Sequence, residues 1–140
     1  MARSRRRTQV PSPQRLILDS GAVIALARND QRARATLAAA WETGVEVVIP
    51  SVVVAETVRG SARDASVNRL IKSVGEVTVA SEETARIAGA LLGAARSSST
   101  VDALVVASAI ELGGGVVLTS DPDDLGPLAA RHHTVLIHAL

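Results

Sequence analysis

Apolar positions along the chain fall into short uninterrupted runs separated by longer stretches with helical spacing. Leu16-Ile17-Leu18 is such a run, led by Arg15 and closed by Asp19, and it predicts a buried strand carrying an acid at its C-terminal end. Ser20 follows as the expected cap of an apolar helix reaching about Ala27. Gln31–Glu42 is Ala-rich, with Leu37 and Trp41 four apart on one expected helix face. Val45–Ile49 predicts a second strand. Pro50-Ser51 opens the next helix, with Ser51 as candidate cap and Glu56 within it, and this helix is expected to end near Gly60. Ser61–Ser73 has amphipathic helical spacing and presents Arg63 and Arg69, and Glu76–Ala80 predicts a third strand. Ser81 caps a helix to about Arg96, with Glu82 and Glu83 at its positive end.

The SSST stretch then predicts a break, with Thr100 as cap of an apolar helix over Val101–Leu112 and Asp102 in its first turn. Gly113–Gly115 stop that helix, and Val116–Thr119 predicts a fourth strand. Ser120-Asp121-Pro122-Asp123-Asp124 is an acidic turn into a short helical piece, and His133–His138 predicts the last strand. Strands alternating with helices at this spacing imply an α/β fold with three layers, α/β/α, around a mainly parallel sheet of about five strands.

Composition narrows the chemistry. The 140 residues suit one domain, and 47% apolar with 21% charged positions excludes wholesale disorder. The single aromatic is Trp41 and there is no Cys, so base-stacking platforms, disulfides, thiolate zinc sites and cysteine nucleophiles are set aside. Arg3, Arg5, Arg6, Arg7 and Arg15 precede or open the first apolar run; without them ten basic residues face fourteen acidic ones, a net charge of −4. Positive charge is thus concentrated in an arm, residues 1–14, expected to be disordered, ahead of one domain over residues 15–140. Such an arm either favours polyanions, RNA included, or is a leader without a specific role. The sequence has neither the apolar segment of a secretory signal after those arginines nor an apolar run long enough to span a bilayer, so the cytoplasm is the expected compartment.

Four acids require explanation. In open parallel sheets, ligands bind beyond the C-terminal strand ends, near the point where strand order reverses. Asp19 and Asp121 follow the first and fourth strands, Asp102 opens the helix leading to the fourth, and Glu56 lies in the helix after the second. Singly, the aspartates have structural explanations: Asp102 answers a helix dipole, Asp121 starts a turn, and a lone acid such as Asp19 after a strand is commonplace. Glu56 is less easily dismissed, because an acid among apolar neighbours needs a partner. Together they would repel one another unless a cation neutralised them. An all-oxygen ligand set favours Mg2+ or Mn2+ over zinc and suits phosphodiester hydrolysis.

LILDSGAVIALA, PSVVVAETVRG and STVDALVVASAIELGGGVVLTSDPDDL, taken in order, resemble the motifs of PIN-domain nucleases, in particular VapC-type ribonuclease toxins. The resemblance spans Leu16 to Leu140. It implies a Mg2+- or Mn2+-dependent endoribonuclease whose catalytic acids are Asp19, Glu56, Asp102 and Asp121. Asp19, Asp102 and Asp121 are the implied metal ligands, with Glu56 and Asp124 as further candidates. Ser20 and Thr119 stand where the family has hydroxyls that orient ligands or water, while Asp123 is expected to be solvated. The resemblance also implies an RNA substrate, a cognate antitoxin protein that occludes the site, and a homodimer. Arg28, Arg59, Arg63, Arg69 and Arg96 are candidates for RNA backbone contacts or ordinary solvated arginines.

Other chemistries fit less well. His132 and His133 are adjacent, so on a strand they point to opposite faces and cannot share a phosphate. A phospho-acceptor receiver would need paired acids after the first strand, yet Ser20 follows Asp19, and the one lysine, Lys72, lies in an expected helix. Haloacid-dehalogenase chemistry needs a second acid where Gly21 stands. Gly113–Gly115 lack the Lys-Ser/Thr of a phosphate loop. The remaining alternative is a catalytically silent PIN-like module that binds RNA or protein; its signature would be loss of an acid, and all four positions are filled.

Overall fold

The computed structural model describes residues 15–140, and the N-terminal arm, residues 1–14, lies outside the described residues. Strand β1 (Arg15–Leu18) is the short apolar run, and Leu16, Ile17 and Leu18 are all buried. It pairs in parallel with β2 (Glu46–Pro50) on one side and β4 (Gly115–Thr119) on the other. The two-residue β3 (Val77–Thr78) and β5 (Val135–Ala139) form the edges, also parallel, giving the order β3-β2-β1-β4-β5. The chain builds outward from β1 to β3 and then returns to the far side of β1 for β4. Strand order therefore reverses between β1 and β4, where Asp19 and Asp121 emerge.

Seven α-helices cover this sheet among the described residues, completing the three-layer α/β/α architecture. Helix α1 (Ser20–Ala27) packs against α2 (Gln31–Glu42), α3 (Ser51–Thr57) and α4 (Ala65–Val74). Helices α5 (Glu82–Ala95), α6 (Thr100–Glu111) and α7 (Pro122–Ala129) pack on one another, with α6 against β4 and β5. Helix α6 is buried nearly all round through Ala103 and Val105–Ala109, which explains why its sequence is apolar without a clear stripe. Contact between α3 and α6 brings the helices of Glu56 and Asp102 together.

Several expected boundaries shift by a residue, with consequences at the site. Asp19, not Ser20, occupies the N-cap of α1; Pro50, not Ser51, precedes α3; and Ser99, not Thr100, precedes α6. Ser81 does cap α5, its hydroxyl accepting the Thr84 N–H. Trp41 shares the expected face with buried Leu37, yet in the last turn of α2 it is 48% exposed. The third strand is shorter than Glu76–Ala80 and leaves Val79 80% exposed.

The single helix expected over Ser61–Ser73 is instead a 3-10 turn at Ala62–Asp64 followed by α4. The cause is Asp64, a buried acid whose Oδ2 accepts the backbone N–H groups of Arg59, Gly60 and Ser61 at 3.0, 2.7 and 3.1 Å. Those bonds, the Arg59 N–H foremost, hold its carboxyl below the ordinary 3.8 against the opposing effect of burial. A depressed folded-state value means that this stabilisation is complete above pH 3.8 and disappears as pH falls through the folded value. Asp64→Asn, which replaces one acceptor oxygen by a donor, is therefore expected to melt below the native protein at neutral pH. The gap should close in acid; a difference in melting temperature that stays constant from pH 7 to the acid limb would remove this role.

Candidate active site

The first acid owes its position to a cap that it does not make. Asp19 stands at the N-terminus of α1 in extended conformation, but its side chain bonds none of that helix's N–H groups. Its backbone N–H donates to Leu118 O at 3.0 Å, locking the end of β1 to β4, and the side chain turns toward β4 instead. There Oδ2 accepts the Thr119 hydroxyl at 2.7 Å. The same Thr119 oxygen accepts the Asp121 N–H at 3.0 Å, so one buried hydroxyl ties the two acid-bearing strand ends together. The other oxygen of Asp19, Oδ1, is buried without any hydrogen-bond partner, in a residue only 2% exposed. A buried unpartnered carboxylate oxygen is costly, and a cation is the partner that best offsets it.

Around Asp19 the remaining acids act on one another through space. The Asp102 carboxyl is pushed up to about 6, first by burial, then by the charges of Asp19, Asp124, Glu56 and Asp121. Glu56 is raised above its ordinary 4.5, again first by burial and next by Asp19; the Ser20 hydroxyl and Arg59 pull it back, and Asp121 pushes it up. Five acids from four parts of the chain thus share one electrostatic field, and Asp124, carried in the first turn of α7, belongs to it. Asp123 is exposed. Among the described residues, no three acidic or imidazole side chains stand at the spacing of a closed ligand set, so the acids share a field without meeting at one point.

These donors fit a hard divalent cation. Oxygen ligands, surplus negative charge and the unpartnered Asp19 Oδ1 are what such an ion neutralises, whereas no sulfur or convergent imidazole pair is present to favour a softer metal. Thr119→Val is expected to leave Asp19 Oδ2 and the Asp121 N–H without their shared partner. The cost should be about 1–3 kcal/mol, the scale of unsatisfied buried polar groups. Chemical denaturation would measure it, and unchanged stability would show that the hydroxyl does not link the two strand ends.

The profile of the PIN domain family matches residues 16–126, which takes in all but the first residue of β1 and every acid of the site. The chain belongs to the PIN domain family. Solved structures with the same fold include VapBC2 from Rickettsia felis bound to a promoter DNA fragment, at TM-score 0.71 and 14% identity. That match covers 90% of this chain and 98% of that one. A toxin–antitoxin complex from Klebsiella pneumoniae matches at TM-score 0.67 and 18% identity, over 89% and 99% of the two chains. FitAcB from Neisseria gonorrhoeae matches at 0.59 and 18%, over 87% and 95%. Among curated protein sequences none matches significantly. No described helix of this PIN domain is long and apolar enough to cross a membrane.

Beyond the sequence-predicted set, Arg32 borders the space beside the site together with Arg28. Arg32 had no signal of its own, because an arginine near the start of an Ala-rich helix reads as a solvated side chain. Arg59, one of the candidates for RNA contact, is committed elsewhere: its guanidinium donates to the carbonyls of Ala55 and Val58 at 3.0 and 3.1 Å.

Proposed function

We propose that this PIN domain is a Mg2+- or Mn2+-dependent endoribonuclease acting in the cytoplasm as the toxin of a toxin–antitoxin pair, in which a cognate antitoxin covers the acid site. The observation that carries the reading is the buried, unpartnered Asp19 Oδ1 at the point of strand-order reversal, in the shared field of Glu56, Asp102, Asp121 and Asp124. Membership of the PIN family supports nuclease chemistry, and the toxin–antitoxin complexes among the structural neighbours support the toxin assignment and an antitoxin partner. A homodimer is part of the same proposal.

In this reading Asp19, Asp102 and Asp121 would hold the cation, with Glu56 and Asp124 at its margin. A divalent ion held there would supply polarisation of the scissile phosphate and a lowered pKa for the attacking water. Thr119 fixes the Asp19 carboxylate in place, and the Ser20 hydroxyl favours the charged form of Glu56. The domain over residues 15–140 carries the chemistry, and the basic N-terminal arm adds affinity for RNA.

The spacing of the acids favours weighing a second reading, a silent PIN-like module that binds RNA or protein. Cleavage of total RNA by the purified protein in Mg2+ or Mn2+, against excess chelator, separates the two. Cuts that need the metal are expected, together with a melting temperature that rises as Mn2+ is added. A folded protein that cuts nothing and gains no stability from either ion would be the silent module.

A further inference from the structure

Gly21, Ile24, Ala25 and Arg28 recur at i, i+3, i+4 and i+7 and form one stripe along α1, starting beside Asp19. That stripe is one wall of a cavity of about 540 Å3 whose other walls include Arg32 and Ser120. Gly21 follows Ser20 and Ser120 precedes Asp121, so the cavity is lined at one end by residues next to the acid site, while the site's acids themselves do not line it. Arg28 and Arg32 are exposed, and neither guanidinium makes an ion pair or hydrogen bond among the described residues. Asp30 also borders the cavity, but its Oδ1 is engaged at 2.9 Å by the Ala33 N–H as the cap of α2.

A polynucleotide reaching the acid site meets strong local repulsion. From Arg15 onward the chain carries eleven basic and fourteen acidic residues, and five of those acids crowd the site. Phosphates on either side of the scissile one therefore need cations along the path to the acids that are not already paired. Four other arginines meet this poorly. Arg15 pairs with Glu46 and Arg86 with Glu82, Arg59 is held by backbone carbonyls, and Arg69 lines a separate cleft with Leu26 and Ser66. We infer that the cavity bordered by Arg28 and Arg32 is a phosphate-backbone subsite for single-stranded RNA, holding the strand beside the acids while one phosphodiester is presented to them. This rests on the nuclease reading and adds to it the path of the substrate.

The test is the salt dependence of binding to a short fluorescent single-stranded RNA of mixed sequence, measured on the full chain in chelator to suppress cleavage. Removing one phosphate-binding cation should lower the slope of log K against log salt by about 0.7. Arg28→Ala and Arg32→Ala should each do so, the double variant by about twice as much, while Arg28→Lys and Arg32→Lys should retain the slope. Arg69→Ala should leave it unchanged. In cleavage assays the loss should fall mainly on KM. Native RNA binding whose slope is the same in the folded double variant would overturn the subsite while leaving the nuclease reading standing. A native protein that neither binds nor cuts RNA would overturn both.

Discussion

Asp19→Asn is expected to reduce RNA cleavage on the order of a hundred- to a thousandfold, the scale of removing one group that stabilises charge in a transition state. The folded chain should persist. Asparagine has nearly the same shape, and its side-chain oxygen can still accept the Thr119 hydroxyl that Oδ2 accepts now at 2.7 Å. One negative charge also leaves a field in which Asp102 is already pushed to about 6, partly by Asp19 itself. The metal-free variant should therefore melt at or above the native temperature, while the rise produced by Mn2+ should largely disappear. These opposed effects distinguish a ligand from a structural acid, because loss of a structural hydrogen-bond acceptor would lower the metal-free melting temperature. Full activity in the purified variant would end the assignment of Asp19 to the catalytic site.

Much of this arrangement is legible in the sequence, for identifiable reasons. The strands announce themselves because a parallel strand buried on both faces must be apolar throughout, as Leu16-Ile17-Leu18 and Val47-Val48-Ile49 are. The acids stand out because each interrupts or closes such a run. What stays hidden depends on atoms brought together by folding. That Asp19 leaves its own helix uncapped to bond Thr119, a hundred positions away, has no local signature. Neither does Asp64, whose carboxylate gathers three N–H groups and breaks an expected helix into a turn and α4, because an acid on an amphipathic helix ordinarily reads as solvated. Glu111 is a third case: an acid at the unfavourable C-terminal end of α6 is received by Thr84 and Ser81 at the N-terminus of the antiparallel neighbour α5.

Gly21→Ala is expected to cost about a hundredfold in cleavage although Gly21 carries no functional group, because displacing a catalytic carboxylate by about 1 Å has that scale of effect. In the first turn of α1, alanine is otherwise favourable, by about 1 kcal/mol over glycine. Here a Cβ would stand 2.0 Å from the Ser120 Oγ, 2.7 Å from its Cβ and 3.0 Å from its backbone N. Something must move, and what adjoins is the loop joining Thr119 to Asp121. The glycine thus sets how closely the Asp19 and Asp121 ends of β1 and β4 approach. Overpacking of this kind costs about 1–3 kcal/mol, and removal of the obstructing atoms should reverse it in steps. Ser120→Ala removes the 2.0 Å contact but leaves the one at 2.7 Å, so combined with Gly21→Ala it should restore activity only in part. Ser120→Gly removes both and leaves only the tight approach to the backbone N, which a shift of a few tenths of an ångström relieves. The pair Gly21→Ala with Ser120→Gly should accordingly recover both activity and the stabilisation by Mn2+. If neither second substitution helps, the fault lies in helix α1 itself and not in the spacing between the two acids.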